Sequence, residues 1–212
     1  MDYRQAANES KYDLAASSYD LIAFMMSLGQ AKKLYNQAAD KIDNKSARRI
    51  VEFGCGPASV IPSIVEHVDA ATEVIGIDFS SKMIEIANRK KEINNWENVE
   101  FNYMDMYDFP ETKPVDTVIF CLSLTAIPDS TKALKKALSV LKPGGQLLIV
   151  DSIPLSSRWW HPVTNAYIYL KSLVVGAKPT KNILSFVHEH MADVQIEEML
   201  YGVYTVITAK KR

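Results

Sequence analysis

Residues 50–59 read Ile-Val-Glu-Phe-Gly-Cys-Gly-Pro-Ala-Ser, and the rest of the chain can be interpreted around them. Residues 48–53 are typical of a buried strand, the glycines at 54 and 56 break it, and Pro57 can open a helix. Open α/β sheets build ligand sites where a strand ends in a glycine turn at the N-terminus of a helix. We therefore expect this turn to form one wall of a binding crevice.

Strand and helix patterns alternate from this turn to residue 151. Apolar runs predict further strands at residues 73–78, 99–103, 115–121 and 146–151. Helical periodicity and the caps Ser80 and Asp129 predict helices at residues 58–67, 82–94 and 129–141. Repeated strand–helix units imply right-handed crossovers and a doubly wound, mostly parallel sheet.

Other patterns precede and follow this alternation. Residues 11–44 predict two helices with a break at Gly29, and residues 158–178 are apolar and aromatic without a strand pattern. The C-terminal part predicts a helix and two strands, at residues 182–191, 194–201 and 203–210. Because only Gly202 separates the two strands, we expect them to pair antiparallel.

Composition and charge exclude several classes of protein. Of 212 residues, 48% are hydrophobic and 23% charged, and the net charge is −1, so we expect no nucleic-acid partner. The two cysteines, Cys55 and Cys121, and the four histidines show no zinc-site spacing, so we expect no metal. The longest apolar run, residues 21–28, is too short to span a bilayer. Without a signal peptide, a reducing, cytoplasmic location is expected.

Acidic residues occur at or beside the predicted carboxyl ends of three strands. Glu52 is expected in the turn after the first strand, Asp78 ends the second, and Asp105 follows the third with Met106 beside it. Because the carboxyl ends of parallel strands share one crevice, all three carboxylates can face one ligand. A carboxylate at the end of the second strand is placed to accept hydrogen bonds from both ribose hydroxyls.

Two ligands fit such a crevice: a dinucleotide and S-adenosylmethionine (SAM). The loop Gly54-x-Gly56-x-x-Ser59 is one residue from the dinucleotide motif, which is weak alone. Glu52 favours SAM, because a carboxylate repels a pyrophosphate but attracts an ammonium and a sulfonium. Asp105 and Met106 offer a carboxylate and an apolar surface to an adenine. An antiparallel strand pair at the end of the sheet also departs from the usual dinucleotide fold.

The chain resembles the class I SAM-dependent methyltransferases over about residues 45–212. The motifs that carry the resemblance are Glu52-Phe53-Gly54-Cys55-Gly56, Ile75-Gly76-Ile77-Asp78-Phe79-Ser80, Met104-Asp105-Met106, Asp116-Thr117-Val118-Ile119-Phe120 and Leu141-Lys142-Pro143-Gly144-Gly145. The family usually has a third glycine where this chain has Ala58. Lys11-Tyr12-Asp13, Ser18-Tyr19-Asp20 and Met26-Ser27-Leu28-Gly29 further resemble the branch of quinone-biosynthesis and phospholipid N-methyltransferases.

The resemblance implies a Rossmann-like, seven-stranded α/β sheet with an antiparallel C-terminal pair and additional N-terminal helices. It implies a single domain over residues 1–212, with four parts. These are an N-terminal helical lid, a SAM-binding core, a substrate-lid insert, and a C-terminal helix and strand pair, at residues 1–44, 45–152, 153–181 and 182–212.

The resemblance also assigns the residues that bind SAM. Gly54 and Gly56, with Cys55 between them and Glu52 beside them, would contact the methionine part, and Asp78 would hold the ribose. The residues expected around the adenine and along the methionine side are Phe79, Met83, Asp105, Met106, Cys121 and Leu122. Tyr19 is expected to close over the cofactor.

Most of these residues also have a purely structural interpretation. Asp78 could be a helix cap, and Glu52 a surface turn residue. Met83 and Met106 could fill the core, and Cys121 could be apolar filler at a strand end. We interpret Cys55 as a small loop residue rather than a catalytic thiol.

The methyl acceptor is expected over the fourth and fifth strands, beneath two lids rich in aromatic side chains. Candidate catalytic residues are Tyr19, His161 and Asp151. His161 could instead be a surface or capping residue next to Pro162, and Asp151 could simply end its strand. The segment with Trp159, Trp160 and the basic residues Arg158, Lys171, Lys178 and Lys181 suggests peripheral membrane contact, or a lid packed on its own domain.

We therefore predict a SAM-dependent methyltransferase that acts on a small or lipid-like amphipathic acceptor, with N- or O-methylation favoured. The alternatives are a quinone-type C-methyltransferase, a non-catalytic SAM-binding protein and, least favoured, an NAD-dependent oxidoreductase. The chain is expected to be a monomer or a homodimer.

Overall fold

The described strands form one seven-stranded sheet. In a computed structural model of the protein, the described residues are 29–44, 47–175, 177–180 and 182–212. The strands are β1 (Arg49–Phe53), β2 (Glu73–Asp78), β3 (Val99–Tyr103), β4 (Val115–Cys121), β5 (Leu141–Asp151), β6 (Met191–Met199) and β7 (Tyr204–Lys211). Their order in the sheet is β3-β2-β1-β4-β5-β7-β6.

Helices in the described part of the chain connect these strands. They are α1 (Ala31–Asp40), α2 (Ile61–His67), α3 (Ser81–Asn94), α4 (Ser130–Val140), α5 (His161–Val175) and α6 (Asn182–His190). Two short 3₁₀ turns cover Met106–Asp108 and Leu200–Gly202. The predicted caps are confirmed, because Ser80 Oγ accepts from Met83 N–H and Asp129 Oδ1 accepts from Lys132 N–H.

The predicted sheet, mostly parallel with an antiparallel C-terminal strand pair, is confirmed. β1 pairs in parallel with β2 and β4, β2 with β3, and β4 with β5. β7 runs antiparallel to both β5 and β6. The chain therefore reverses direction once it has built the fifth strand, and the carboxyl ends of β1 to β5 share one edge with the start of β7.

Both faces of the central strands are buried. In β1, Ile50 belongs to one core cluster, while Val51 and Phe53 belong to another. The same division separates Ile119 from Val118 on β4. This is why these strands lack a simple apolar–polar alternation in the sequence.

The start of β5 differs from the prediction. Lys142-Pro143-Gly144-Gly145 does end helix α4, but the strand already begins at Leu141, which pairs with Val115. The pairing resumes between Thr117 and Gln146, so the intervening residues form an irregularity in the strand. Gly144 has a φ of +72°, which suits this irregularity.

The C-terminal strands begin a few residues away from their predicted positions. β6 begins at Met191 rather than at residue 194, and the connection to β7 is a 3₁₀ turn in which Tyr201 has a φ of +56°. The segment without a strand pattern contains helix α5. Of the two predicted N-terminal helices, the second corresponds to α1, and the first lies outside the described residues.

Gly54 and Gly144 provide a matched pair for testing the glycine turn. Their φ values are +73° and +72°, so alanine suffers similar backbone strain at both, about 1–2 kcal/mol. A Cβ at Gly54 would lie 2.6 Å from Ser123 Cβ, whereas a Cβ at Gly144 meets nothing within 4 Å. We predict that Gly54→Ala lowers the free energy of unfolding by about 1–3 kcal/mol more than Gly144→Ala, as measured in urea. Equal losses would show that the turn does not depend on this close contact.

Candidate cofactor and acceptor site

The glycine turn after β1 is held against the end of β2. The N–H groups of Gly54 and Cys55 both donate to the carbonyl oxygen of Ile77, at 2.8 and 3.0 Å. Gly54 and Gly56 have φ values of +73° and +51°, in the left-handed region that favours glycine. Ala58, at the place of the family's third glycine, also has a positive φ, of +60°. The backbone therefore keeps the glycine-type conformation although the side chain differs.

Asp78 joins this turn to the next loop. Its Oδ2 accepts from Gly56 N–H and its Oδ1 accepts from Ser80 N–H, both at 2.9 Å. The side chain is buried at the carboxyl end of β2. A carboxylate oxygen can accept more than one hydrogen bond, as the predicted contact with ribose hydroxyls would require. Asp78 thus has a structural role in addition to the predicted cofactor contact.

Glu52 lies inside β1 and not in the turn, which corrects its predicted position. It is 1% exposed, so the alternative of a surface turn residue is also wrong. Its Oε2 is buried and has no hydrogen-bond partner among the residues that the structure describes. Burial, and next the negative charge of Asp78, raise the pKa of Glu52 well above its ordinary value. An unsatisfied buried carboxyl beside a second carboxylate is a site that a cationic group would complete.

These features fit the methionine part of SAM. The ammonium and sulfonium groups would supply the positive charge that Glu52 and Asp78 lack, and the glycine turn lets a ligand approach the backbone. SAM would bring an electrophilic methyl group to this edge of the sheet. Glu52, Gly54, Gly56 and Asp78 would hold it there.

The two cysteines are buried and free. Burial raises the pKa of both thiols. The negative charges of Asp78 and Glu52 raise the pKa of Cys55 further, and those of Glu52 and Asp151 raise the pKa of Cys121 further. Both thiols are therefore held in the protonated form, which is a poor nucleophile. Leu122 follows Cys121 with a φ of +57°, and its N–H donates to Val150 O at 2.8 Å.

The predicted adenine residues lie beyond β2 and β3. Asp105 caps the short 3₁₀ turn, where its Oδ1 accepts from Tyr107 N–H at 3.1 Å, and its side chain is half-buried. Phe79 is also half-buried, whereas Met106 is buried in the core cluster that contains Phe53. Met83 is fully buried on α3. Contacts of all four with adenine stay predictions, and the burial of Met83 agrees with its alternative role as core filler.

Asp151, at the end of β5, organises the loop after β4. Its Oδ2 accepts from Thr125 N–H, and its Oδ1 accepts from Thr125 Oγ1 and Ser152 N–H, at 2.7–2.9 Å. Burial raises the pKa of Asp151, although these bonds and the charge of Lys171 oppose the rise. The carboxyl group is thus a buried structural centre directly beneath the expected acceptor position.

A buried lysine beside Asp151 was missed as a site residue. The sequence analysis placed Lys171 in a segment that either contacts a membrane or packs on its own domain. Lys171 is 9% exposed, and its Nζ lies 3.8 Å from the ring centroid of Tyr204. The ring of Tyr167 is 6.0 Å away. Burial lowers the pKa of Lys171 to about 8, and Asp151 opposes this effect. The spacing of Tyr167 and Lys171, four residues apart on one helix, was the available sequence signal.

His161 connects α5 to the C-terminal strand pair. It is fully buried, its Nδ1 accepts from Arg158 N–H at 3.1 Å, and its Nε2 lies 3.2 Å from Glu198 Oε2. With both ring nitrogens engaged, the geometry favours the capping alternative over the predicted catalytic role. The catalytic and cofactor roles of Tyr19 concern a residue outside the described ranges.

The fold is Rossmann-like, with a seven-stranded, mostly parallel sheet and an antiparallel C-terminal pair, as the sequence predicted. Among solved structures, YcgJ from Bacillus subtilis is similar with a TM-score of 0.69 at 16% identity, covering 85% of this chain and 99% of YcgJ. The N-methyltransferase NodS from Bradyrhizobium japonicum, in complex with S-adenosyl-L-homocysteine, has a TM-score of 0.65 at 13% identity, covering 85% and 87%. These likenesses concern the fold.

Residues 2–176 match the profile of the ubiE/COQ5 methyltransferase family, and the chain belongs to this family. SAM is accordingly its cofactor. Curated relatives include the demethylmenaquinone methyltransferases of Staphylococcus saprophyticus (28% identical over 152 residues) and Streptomyces griseus (31% over 159 residues). The matches cover 70% and 74% of this chain, and 64% of the length of each relative.

The substitution Glu52→Gln should have different effects on SAM binding and on the free energy of unfolding. We predict that it weakens SAM binding about tenfold or more in calorimetry, because charge-assisted hydrogen bonds to the cofactor are lost. In the free wild-type protein, the raised pKa of Glu52 makes stability fall as pH rises above about 4.5, by at most about 1.4 kcal/mol per pH unit. The variant lacks this contribution. As pH rises, its free energy of unfolding should therefore increase relative to that of the wild type.

Glu97→Gln, at an exposed position, serves as the control and should change neither quantity. Unaltered SAM affinity in Glu52→Gln would remove Glu52 from the cofactor site.

Proposed function

We propose that this protein transfers the methyl group of SAM to a ring carbon of a reduced quinone, a hydroquinone with an apolar substituent. The observation that carries this proposal is the family membership, together with relatives named demethylmenaquinone methyltransferases at 26–31% identity. It favours the ring-carbon alternative of the sequence analysis over the N- or O-methylation that was preferred there.

The aromatic character of the expected acceptor position supports a planar ring as substrate. Tyr204 and Tyr167 lie around Lys171, and Tyr35 on α1 is close enough to Tyr204 to contribute to its raised pKa. Aromatic side chains bind ring substrates by stacking and edge contacts. A small amine acceptor would not need such a surface.

The chemistry needs little from the protein beyond alignment and a group that handles one proton. A ring carbon next to a hydroxyl becomes a stronger nucleophile when that hydroxyl ionises. The protein would then hold this carbon in line with the methyl group and exclude water, which accounts for much of the acceleration in such displacements.

A hydroquinone with a long apolar substituent resides in a membrane, and α5 supports peripheral contact with one. Trp159 is 87% and Leu173 81% exposed, and Val163 and Leu170 are also exposed on this segment. Together these four residues form the apolar stripe of α5. No helix in the described ranges is long and apolar enough to cross a bilayer. An interfacial position of the apolar stripe would bring the site near a membrane-bound acceptor.

The reaction is tested with methyl-labelled SAM and a demethylmenaquinol analogue kept reduced by dithionite. We predict one new carbon-bound methyl group in the product, assigned by mass spectrometry and carbon NMR. Phenols, alkylamines and phosphatidylethanolamine form the comparison panel. An oxygen- or nitrogen-bound methyl group, or a preference for another member of the panel, would overturn the proposal of ring-carbon methylation.

Membrane contact is tested by flotation with vesicles of phosphatidylglycerol and phosphatidylethanolamine. We predict that Trp159→Ser with Leu173→Ser reduces the vesicle-bound fraction about tenfold or more, because two apolar side chains no longer enter the interface. Ile93→Ser on α3 is the matched control, since Ile93 is 72% exposed but lies on a helix that packs on β2 and β3. A wild-type protein that stays with the unbound fraction would contradict the interfacial position.

A further inference from the structure

Lys171 is 9% exposed, and its ammonium has no ion-pair or hydrogen-bond partner among the residues that the structure describes. Its Nζ contacts the rings of Tyr204 and Tyr167, and it is not one of the fully buried unpaired polar atoms, so an approaching ligand can reach it. A lysine this little exposed is normally paired, because removing an ammonium from water is costly. Cation–π contact offsets part of this cost but satisfies none of the N–H donors.

Asp151 acts on Lys171 at a distance. The carboxylate of Asp151 is occupied by Thr125 and Ser152, so it stabilises the charged lysine through its field. In the sheet, Asp151 pairs with Thr205, the neighbour of Tyr204. Lys171, which contacts Tyr204 at the start of β7, thus lies near the edge of the sheet where β1, β2 and β5 end, and β7 is the third strand from β1.

A row of ionisable groups lies along this edge between the cofactor site and Lys171. Asp78 raises the pKa of Glu52, Glu52 and Asp151 raise that of Cys121, and Asp151 and Cys121 contribute to the raised pKa of Tyr204. The sheet pairing places these groups on adjacent strands, because Cys121 pairs with Val150 of β5 and Asp151 pairs with Thr205 of β7. A ligand that reaches from Glu52 past Cys121 therefore arrives at Lys171.

We propose that Lys171 takes the hydroxyl proton of the methyl acceptor and then holds the resulting oxyanion, an assignment that rests on the proposed ring-carbon methylation. In this step the acceptor O–H bond breaks, the proton binds the neutral Nζ, and the electron pair stays on oxygen. The adjacent ring carbon would then bond to the methyl group as the bond from that methyl group to the sulfonium sulfur breaks, with the electron pair of the broken bond going to sulfur. The proton of that ring carbon would leave to water, and the electron pair of its C–H bond would restore the aromatic ring and the oxyanion. Lys171 returns its proton when the hydroxyl re-forms.

The surroundings of Lys171 suit this role near neutral pH. The groups that face it are Tyr167 on its own helix, Tyr204 on β7 and Asp151 on β5, with Cys121 on β4 beyond them. Burial raises the pKa of Tyr204 and of Cys121, so both stay protonated, and Asp151 is fixed by its loop. With a pKa of about 8, Lys171 supplies a fraction of neutral amine that an exposed lysine lacks.

The test compares Lys171→Met and Lys171→Arg with the control Lys135→Met, which changes an exposed lysine on α4. Lys171→Met keeps an unbranched apolar stem, and Lys171→Arg keeps the cation over the rings but cannot give up its proton. We expect kcat to fall about 100-fold or more in both variants and not in the control. SAM affinity by calorimetry should stay within about threefold of the wild type, and the rise of kcat/KM through pH 8 should disappear.

A second measurement is independent of turnover. 1-Naphthol, whose absorption band moves to longer wavelength on ionisation, is titrated in the presence of S-adenosylhomocysteine. We expect the wild type to lower the apparent pKa of bound naphthol by about one unit or more, and Lys171→Met to leave it at its value in water.

The outcomes distinguish this inference from the proposed function. If the wild type methylates another acceptor or another atom, the proposed function fails, and the naphthol titration still decides whether Lys171 binds an oxyanion. If the wild type methylates the hydroquinone carbon while Lys171→Met retains kcat within about threefold and the same pH profile, Lys171 only packs on Tyr204 and the inference is overturned.

Discussion

The carboxylate of Asp78 is the interaction on which the site depends. It accepts the N–H groups of Gly56 and Ser80, so one side chain fixes the glycine turn after β1 and the start of α3. These bonds hold the carboxylate at the edge of the sheet, close to the buried Glu52 on the adjacent strand. Burial first, and the charge of Asp78 second, raise the pKa of Glu52, and a cationic ligand would complete this pair of carboxyl groups.

The antiparallel end of the sheet extends this crevice into a second site. β7 runs back along β5, which places Tyr204 beside the end of β5 and next to Lys171 of α5. His161 ties α5 to β6 through Glu198, and its ring lies 3.2 Å from the position that a Cβ of Gly202 would take. The fold thus packs α5 on the turn between β6 and β7 and thereby holds Lys171 beside Tyr204.

The sequence predicts the cofactor half of the molecule better than the acceptor half. The bounds of β2, β3 and β4 are as expected, because apolar runs between turn residues are local signals. The long β5 was underestimated, since Lys142-Pro143-Gly144-Gly145 ends a helix and is also an irregular strand start. The sequence did not predict the position of Lys171 beside Tyr204, because this contact joins distant segments and no local pattern reveals it. The contacts of the two ring nitrogens of His161 could not be predicted for the same reason.

The most direct test of the cofactor site is a crystal structure of the protein with S-adenosylhomocysteine. The account predicts that the amino group of the homocysteine part lies within about 3.2 Å of Glu52 Oε2, and that a ribose hydroxyl donates to Asp78 while Gly56 N–H and Ser80 N–H keep their bonds to it. A ligand whose amino group is bound elsewhere, with Glu52 Oε2 still unpaired, would contradict the central claim that the two buried carboxylates define the binding of the cofactor.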